Sequence, residues 1–273
     1  MPGFYYLYCL KNKTSRKISL KGIDKNKIYL LPYEDIEAVV TEVNRVEFSS
    51  REIKSKLENL KWIEEKIRNH EEVIEEAMKD SPVIPLKFLT IYESKTKIVN
   101  ILKRNYKKFR GLLDKLKGKA EWGVKVYLID REKLVDKARK EDEEPMRMEE
   151  ELKSKPEGIK YFLEKQIEEK ISAKVDEKLD KYVKDIFEIL SPFSEKKPMI
   201  NELLPRGITD KKEMIFNVSY LFSEDKLKEF QKVVKRLQDY YLPVGLWIEY
   251  SGPWPPYNFV DYENKRKNIS PKP

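Results

Sequence analysis

No feature of this sequence limits the fold as much as a run of apolar residues that returns every fourth position through residues 157–190. Leu163, Ile167, Ile171, Val175, Leu179, Val183 and Phe187 make up the run. A spacing near 3.6 calls for an α-helix, and the rest of the stretch carries seven Lys against nine acidic side chains, so a single stripe is available for burial. At about 100° per residue, each four-residue step carries the stripe about 40° around the axis, so it spirals. Such a helix must either wrap across what it packs on or break once. Ser191-Pro192 ends it, because proline supplies no amide donor and clashes with the preceding turn.

Strand-like segments flank this helix. EWGVKVYLID (121–130) reads as a strand before it, and a weak strand at 199–204 and a strong one at 214–222 follow, joined by RGITDKK. A helix at 224–241 and a strand at 244–250 complete the set, and the polar stretch containing EDEEP reads as a loop or a short frayed helix. The order is βαββαβ, the ferredoxin-like arrangement.

The first part of the chain reads as a separate α+β unit. Segments 4–10, 28–33 and 36–43 are strands, the last two a hairpin. Residues 51–79 read as one helix with Trp62, Ile63, Ile67, Val73, Ile74 and Ala77 on its apolar face, stopped by Asp80-Ser81-Pro82. VIPLKFLTIY (83–92) reads as a strand that Pro85 confines to an edge or a bulge. The predicted fold class is therefore α+β in two domains, 1–118 and 119–260, with 261–273 a flexible tail and the boundary near 115–122. GPWPPYNFV, with three prolines, is expected to be an ordered turn or extended cover.

Charge is distributed unevenly. The net charge is +8, yet residues 1–92 hold 16 basic against 15 acidic side chains and residues 120–273 hold 30 against 31. The whole excess lies in 93–119, where ten Lys or Arg face only Glu93 and Asp114. Ile98, Ile101, Leu102, Phe109, Leu112, Leu113 and Leu116 share one helical face there, while Lys97, Arg104, Lys107, Lys108 and Lys115 spread over the other, and Gly118 is a plausible stop. Such a face is ordinarily plain solvated surface. Its sharper reading is a docking surface for an acidic partner, and nucleic acid ranks third, because no zinc spacing or RNA-binding aromatic motif accompanies it. Trp254 and Tyr257, held between prolines, form a second candidate for peptide binding, although such clusters more often cap a sheet.

Enzyme chemistry finds little support. His70 is the only histidine, which excludes a two-histidine metal site within one chain, and it falls near the apolar face of its helix as a structural side chain. Cys9, the only cysteine, sits inside an apolar strand and reads as an inert buried thiol in a reducing, cytoplasmic setting. The sequence has no nucleophile elbow, phosphate loop or dinucleotide fingerprint. No apolar run approaches the roughly 18 residues of a membrane span, and the N-terminus lacks the features of a secretory signal. No cofactor, metal, nucleotide, nucleic acid or small-molecule substrate is expected.

Six strings, in order, carry a resemblance to a known family. HEEVIEEAM followed by SPVIPLKFLTIY, then GKAEWGVKVYLID, GIKYFLEKQ, NVSYLF and SGPWPPYNFV resemble the gas vesicle synthesis protein F/L family from Trp62 to Val260. One departure stands out: where the family commonly has Pro-Leu-Arg-Phe-Gly-Thr, this chain has Lys87 for the arginine and Leu89 for the glycine, so local geometry is expected to differ if that glycine permits a close backbone approach. The resemblance implies a non-enzymatic accessory protein of gas vesicle assembly. Its expected partners are the gas vesicle shell protein and other gas vesicle accessory proteins, and its expected place is the gas vesicle. A generic scaffold or nucleic-acid-associated protein using helix 93–119 is the alternative.

Overall fold

The structure, a computed structural model, describes residues 3–141, 143–152, 154–201 and 212–260. The chain divides into two compact units, Met1–Glu121 with Pro253–Pro273, and Trp122–Gly252.

The first unit is an α+β layer built on a five-stranded sheet. Its strands are β1 (Phe4–Asn12), β2 (Ile28–Tyr33), β3 (Ile36–Val43), β4 (Val83–Pro85) and β5 (Ile91–Tyr92), in the order β2-β3-β1-β4, with β5 also pairing β1. The β2–β3 hairpin falls at the boundaries read from sequence, turning at Glu34, whose φ is +53°. The expected helix 51–79 is two helices, α1 (Ser50–Lys56) and α2 (Leu60–Met78). Asn59 divides them by taking an extended backbone and accepting the Trp62 amide on its side-chain oxygen at 3.2 Å, a helix start in the middle of the periodic run. Val73, Ile74 and Ala77 of α2 bury against Tyr6, Tyr8, Ile23 and Val39, whereas Ile67, expected on this face, is 40% exposed.

The expected single strand 83–92 is interrupted at 86–90. Leu89 there takes φ +63°, a left-handed conformation that glycine adopts without strain and leucine does not. The Leu89 amide donates to the Tyr6 hydroxyl at 3.0 Å instead of to a neighbouring strand. The chain thus keeps a glycine-type backbone at the position where the family commonly has glycine. After β5 comes α3 (Lys95–Leu116), capped by Ser94 and followed by Gly118 at φ +69°.

One cluster of buried charge in this unit joins two strands to the end of α2. Lys11 on β1 pairs across the strands with Glu37 on β3 at 3.5 Å and reaches Asp80, just past α2, at 3.1 Å, with no part of it exposed. Burial raises the Glu37 pKa, and the neighbouring Lys11 ammonium opposes that shift. Thr14 and Asp80 complete the shell around the ammonium, so the lysine ties two strands to the helix end.

The second unit is also α+β, on a four-stranded sheet ordered β7-β8-β6-β9 from β6 (Lys119–Leu128), β7 (Met199–Ile200), β8 (Glu213–Ser223) and β9 (Leu246–Trp254). β6 therefore belongs to a different sheet from β1. Of the expected strand 199–204 only β7 is described; residues 202–204, RGITDKK up to Lys211 and the tail 261–273 lie outside the described residues. The polar stretch expected to be loop or a short frayed helix is helical, as α4 (Arg131–Glu141) and α5 (Glu143–Leu152). Leu134 and Ala138 of α4 are buried, enough apolar contact to hold an otherwise charged helix.

The long helix α6 (Glu157–Leu190) runs unbroken over the length read from sequence. Its buried line follows Ile167, Ile171, Val175 and Leu179, then passes to Tyr182, Ile186 and Leu190. One three-residue step replaces a four-residue step, turning the line back by about 60° and removing about half of the drift built up by the three steps before it. Val183 and Phe187, which a strict repeat would bury, are left half-buried. α7 (Leu227–Tyr241) buries Phe230, Val234, Leu237 and Tyr241, with Phe230 4.7 Å from Phe222 on β8. Trp122 on β6 stacks on the same Phe222 at 6.1 Å.

Candidate docking face and the His70 cluster

Along α3, the sequence pattern becomes a two-sided helix. Ile98, Leu102, Phe109, Leu113 and Leu116 are buried, while Ile101 and Leu112 at the margins are half-buried. Lys97, Arg104, Lys107, Lys108 and Lys115 are all exposed. Their circumstances differ. Lys97 pairs with Glu93 one turn earlier, and Arg110 is held between Asp35 at 2.7 Å and Asp114 at 2.6 Å. Arg104, Lys107, Lys108 and Lys115 have no ion-pair partner among the described residues. Positions 104, 107 and 108 are neighbours on one helix face, so three like charges stand together in water with nothing to neutralise them.

The second candidate pair divides. Trp254, at the end of β9, is 42% exposed. Tyr257 is engaged within the chain: it lies half-buried in a 3-10 turn, Tyr257–Phe259, after the buried Pro255 and Pro256, and its hydroxyl donates to Glu71 at 3.0 Å. The residues from Pro253 onward group with the first unit, so the second unit ends before 260. Asn258 fastens the same turn, its backbone and side-chain nitrogens reaching the buried Glu121 carboxylate at 3.1 and 2.6 Å.

Around His70 the polar contacts form a complete relay. The Leu89 amide donates to Tyr6 Oη, and the Tyr6 hydroxyl, 2.9 Å from His70 Nδ1, donates its proton there. The opposite nitrogen, Nε2, then carries the hydrogen and faces the Leu86 carbonyl at 3.2 Å and Tyr257 Oη at 3.1 Å. The Tyr257 hydroxyl in turn donates a hydrogen bond to Glu71. This pattern fixes the neutral tautomer. The rings of Tyr8 and Phe88 enclose the imidazole at 5.7 and 5.9 Å. Burial lowers the His70 pKa to about 4, with the Leu86 carbonyl opposing the shift, while burial raises that of Glu71 against the Tyr257 hydrogen bond. Every hydrogen-bonding position on the imidazole is used by the protein itself, which leaves no lone pair for a metal or a reacting proton.

Sequence reading placed His70 correctly as a structural side chain but missed that three of the family-like strings meet on it. His70-Glu71, Leu86 to Leu89 and Tyr257 come from HEEVIEEAM, SPVIPLKFLTIY and SGPWPPYNFV. The signal was a hydroxyl, Tyr257, inside a proline-rich apolar string. Among the described residues no group of three or more His, Cys, Asp or Glu side chains is placed to hold a metal, and no helix is long and apolar enough to cross a membrane. Burial pushes the Cys9 thiol pKa up, away from the reactive thiolate.

The comparisons with known proteins agree on one family. The family model of the gas vesicle synthesis protein GvpL/GvpF matches residues 4–261. Gas vesicle protein L of Streptomyces sp. (strain CB03234) is 24% identical over 240 residues, 88% of this chain and 85% of its own length. Gas vesicle protein L1 of Halobacterium salinarum is 24% identical over 269 residues, 93% of this chain and 89% of its own. The crystal structure of the gas vesicle protein GvpF from Anabaena sp. PCC7120 shares the fold with a TM-score of 0.71 at 19% identity, covering 96% of this chain and 99% of that one.

Proposed function

Because this chain belongs to the gas vesicle synthesis protein GvpL/GvpF family, and so takes part in forming gas vesicles, we propose that it does so by binding other proteins: the shell protein and the accessory proteins that gather with it. The docking surface in this reading is the outer face of α3, and the observation that carries it is the unpaired cluster of Arg104, Lys107 and Lys108. Shell subunits that expose apolar surface before assembly would aggregate, so a partner that masks them has a clear use. A cationic face steers an acidic patch into encounter and acts on the association rate more than on final affinity.

The same reading takes the chain as an N-terminal α+β domain joined near Gly118 to a ferredoxin-like second domain. The element order of the second unit and its strand order β7-β8-β6-β9 support this. The protein would work at the gas vesicle as an assembly factor or minor component.

The test is charge reversal, Arg104→Glu, Lys107→Glu and Lys108→Glu together. Association with immobilised shell protein should slow by about tenfold or more at low salt, and the wild-type rate should fall steeply as salt rises. Vesicle formation in cells supplied only with the reversed protein should be impaired. An unchanged association rate together with normal vesicles would leave this face as plain solvated surface.

A further inference from the structure

β9 is an edge strand with half of its backbone left unpaired by the sheet. It ends the order β7-β8-β6-β9. The Gly245 carbonyl accepts from the Ile129 amide at 2.9 Å, which turns residue 245 toward β6. Backbone groups alternate in direction along a strand, so 247, 249 and 251 face β6 as well, and 246, 248, 250 and 252 face outward. One side-chain contact agrees: the Gln238 amide of α7 caps the outward Ile248 carbonyl at 2.8 Å. Beyond that cap, Tyr250 has its N–H and C=O on the outer side, and its side chain is 36% exposed.

This open stretch borders a groove of about 880 Å³ between β9 and α7, lined by Lys228, Lys232, Lys235, Arg236, Glu229 and Tyr250 among others. Lys235 is paired with Asp239 at 2.8 Å. Lys228, Lys232 and Arg236 have no ion-pair partner among the described residues, and Glu229 is the one acidic side chain of the lining. An unpaired edge gives backbone hydrogen bonds to an incoming strand, and the adjoining groove selects its side chains.

We propose that β9 and the basic groove beside it receive an extended, acidic segment of a partner protein, which adds to the sheet as a fifth strand next to Tyr250. Charge decides between this occupant and a second copy of the chain. Pairing β9 with β9 of another copy would bring two α7 helices, each with three unneutralised cations, against each other, whereas Asp or Glu residues on an incoming strand would meet those cations. The surface is separate from the α3 face, and each can fail without the other.

A fluorescent eight-residue peptide of alternating Asp and Val tests the proposal, titrated at low salt against the full chain carrying the Arg104→Glu, Lys107→Glu and Lys108→Glu changes, so that α3 cannot capture it. The expected result is saturable binding, and slowed hydrogen exchange in 246–252. N-methylation at alternate peptide residues, which removes the strand-forming donors, should weaken binding about tenfold or more. Reversing Lys228, Lys232 and Arg236 to Glu should transfer the preference to a Lys-Val peptide. Tyr250→Pro removes an outward donor without touching the β6 ladder and should also weaken binding, and the N-methylated peptide carries the same test if that variant fails to fold. Failure of the Asp-Val peptide to bind would overturn the proposal. So would equal binding of the N-methylated peptide, or self-association through β9 in sedimentation without peptide uptake.

Discussion

The His70 cluster and the outer face of α3 lie in the same unit, but they are built on opposite terms. At His70 every donor meets an acceptor: Tyr6, Leu86, Tyr257, Glu71 and the Leu89 amide use one another, and the imidazole is 1% exposed. On α3, Arg104, Lys107 and Lys108 stand exposed with no ion-pair partner among the described residues. A satisfied buried group reports on folding, because nothing is left over with which to bind. An exposed cluster of one sign has its strongest interactions still to make. The contrast explains why the single histidine, the residue type most often drawn into chemistry, is structural here, and why the candidate for recognition is a row of ordinary lysines and an arginine.

If the contrast holds, the largest effect on folding comes from breaking the relay. His70→Ala leaves a cavity and strands the Tyr6 hydroxyl and the Leu86 carbonyl, and urea unfolding is expected to show a loss of about 3–5 kcal/mol. His70→Phe restores much of the volume and should recover part of that loss, with the remainder assigned to hydrogen bonding. A loss below about 1 kcal/mol for His70→Ala would mean that the relay reorganises and is not what holds the proline-rich turn to α2.

Acid provides the same break without a mutation. The His70 pKa is lowered to about 4 in the fold against an unfolded value near 6.5. Between those values the unfolded chain takes up a proton that the folded chain refuses. Stability from the neutral ring is thus fully present above about pH 6.5 and is lost as pH falls toward 4, by about 3 kcal/mol. The difference in unfolding free energy between pH 7 and pH 4 should be smaller by that amount in His70→Phe than in the unaltered chain. Parallel pH profiles for the two proteins would show that the ring takes up its proton as readily in the fold as in the unfolded chain.

A smaller effect is expected at Leu89, where the relay meets a strained backbone. At φ +63° a leucine costs about 1–2 kcal/mol relative to glycine, while glycine forfeits apolar packing and has more freedom to lose on folding. These nearly cancel, so Leu89→Gly should change stability by about 1 kcal/mol or less. Leu89→Val, β-branched and poorly tolerated at positive φ, should lose about 1–2 kcal/mol. If glycine proved the more damaging of the two, the leucine side chain and not the backbone would govern this position.

How far the sequence could be read depended on the range of the interactions involved. The β2–β3 hairpin and α6 were legible nearly to the residue, because alternation and helical period are local and strong. The interruption at 86–90 was not, since its cause is the Tyr6 hydroxyl, 83 positions earlier, taking the Leu89 amide. The return of Tyr257 to His70, across 187 positions, escaped for the same reason. Asn59 was a local signal, a good helix cap, but it was hidden inside a run whose apolar period continued on both sides. On α3 the charge pattern was plain in the sequence, whereas the distinction between Lys97, paired to Glu93, and the unpaired Arg104, Lys107 and Lys108 needed the structure.

The smallest expected effect on stability, and the one that bears most directly on recognition, belongs to α3. Arg104 stands three residues before Lys107 and four before Lys108, and Lys103 stands four before Lys107. Like charges at these spacings repel by about 0.2–0.5 kcal/mol per pair in low salt. Alanine is also the strongest helix former, so replacing Arg104, Lys107 and Lys108 with alanine removes repulsion and sacrifices no buried contact. The triple variant should therefore be as stable as the unaltered chain or more stable, by about 0.5–1 kcal/mol at low salt. Raising salt should stabilise the unaltered chain more than the variant, until screening brings the two together. Thermal unfolding at 20 mM and about 500 mM salt is the measurement, the higher concentration bringing the screening length to roughly 4 Å. A helix that keeps mutually repelling cations at a cost to its own folding requires a reason outside folding, and capture of an acidic partner supplies one. If the alanine variant instead lost 1 kcal/mol or more, the three side chains would be making intramolecular contacts that matter to the fold, and their availability for docking would have to be withdrawn.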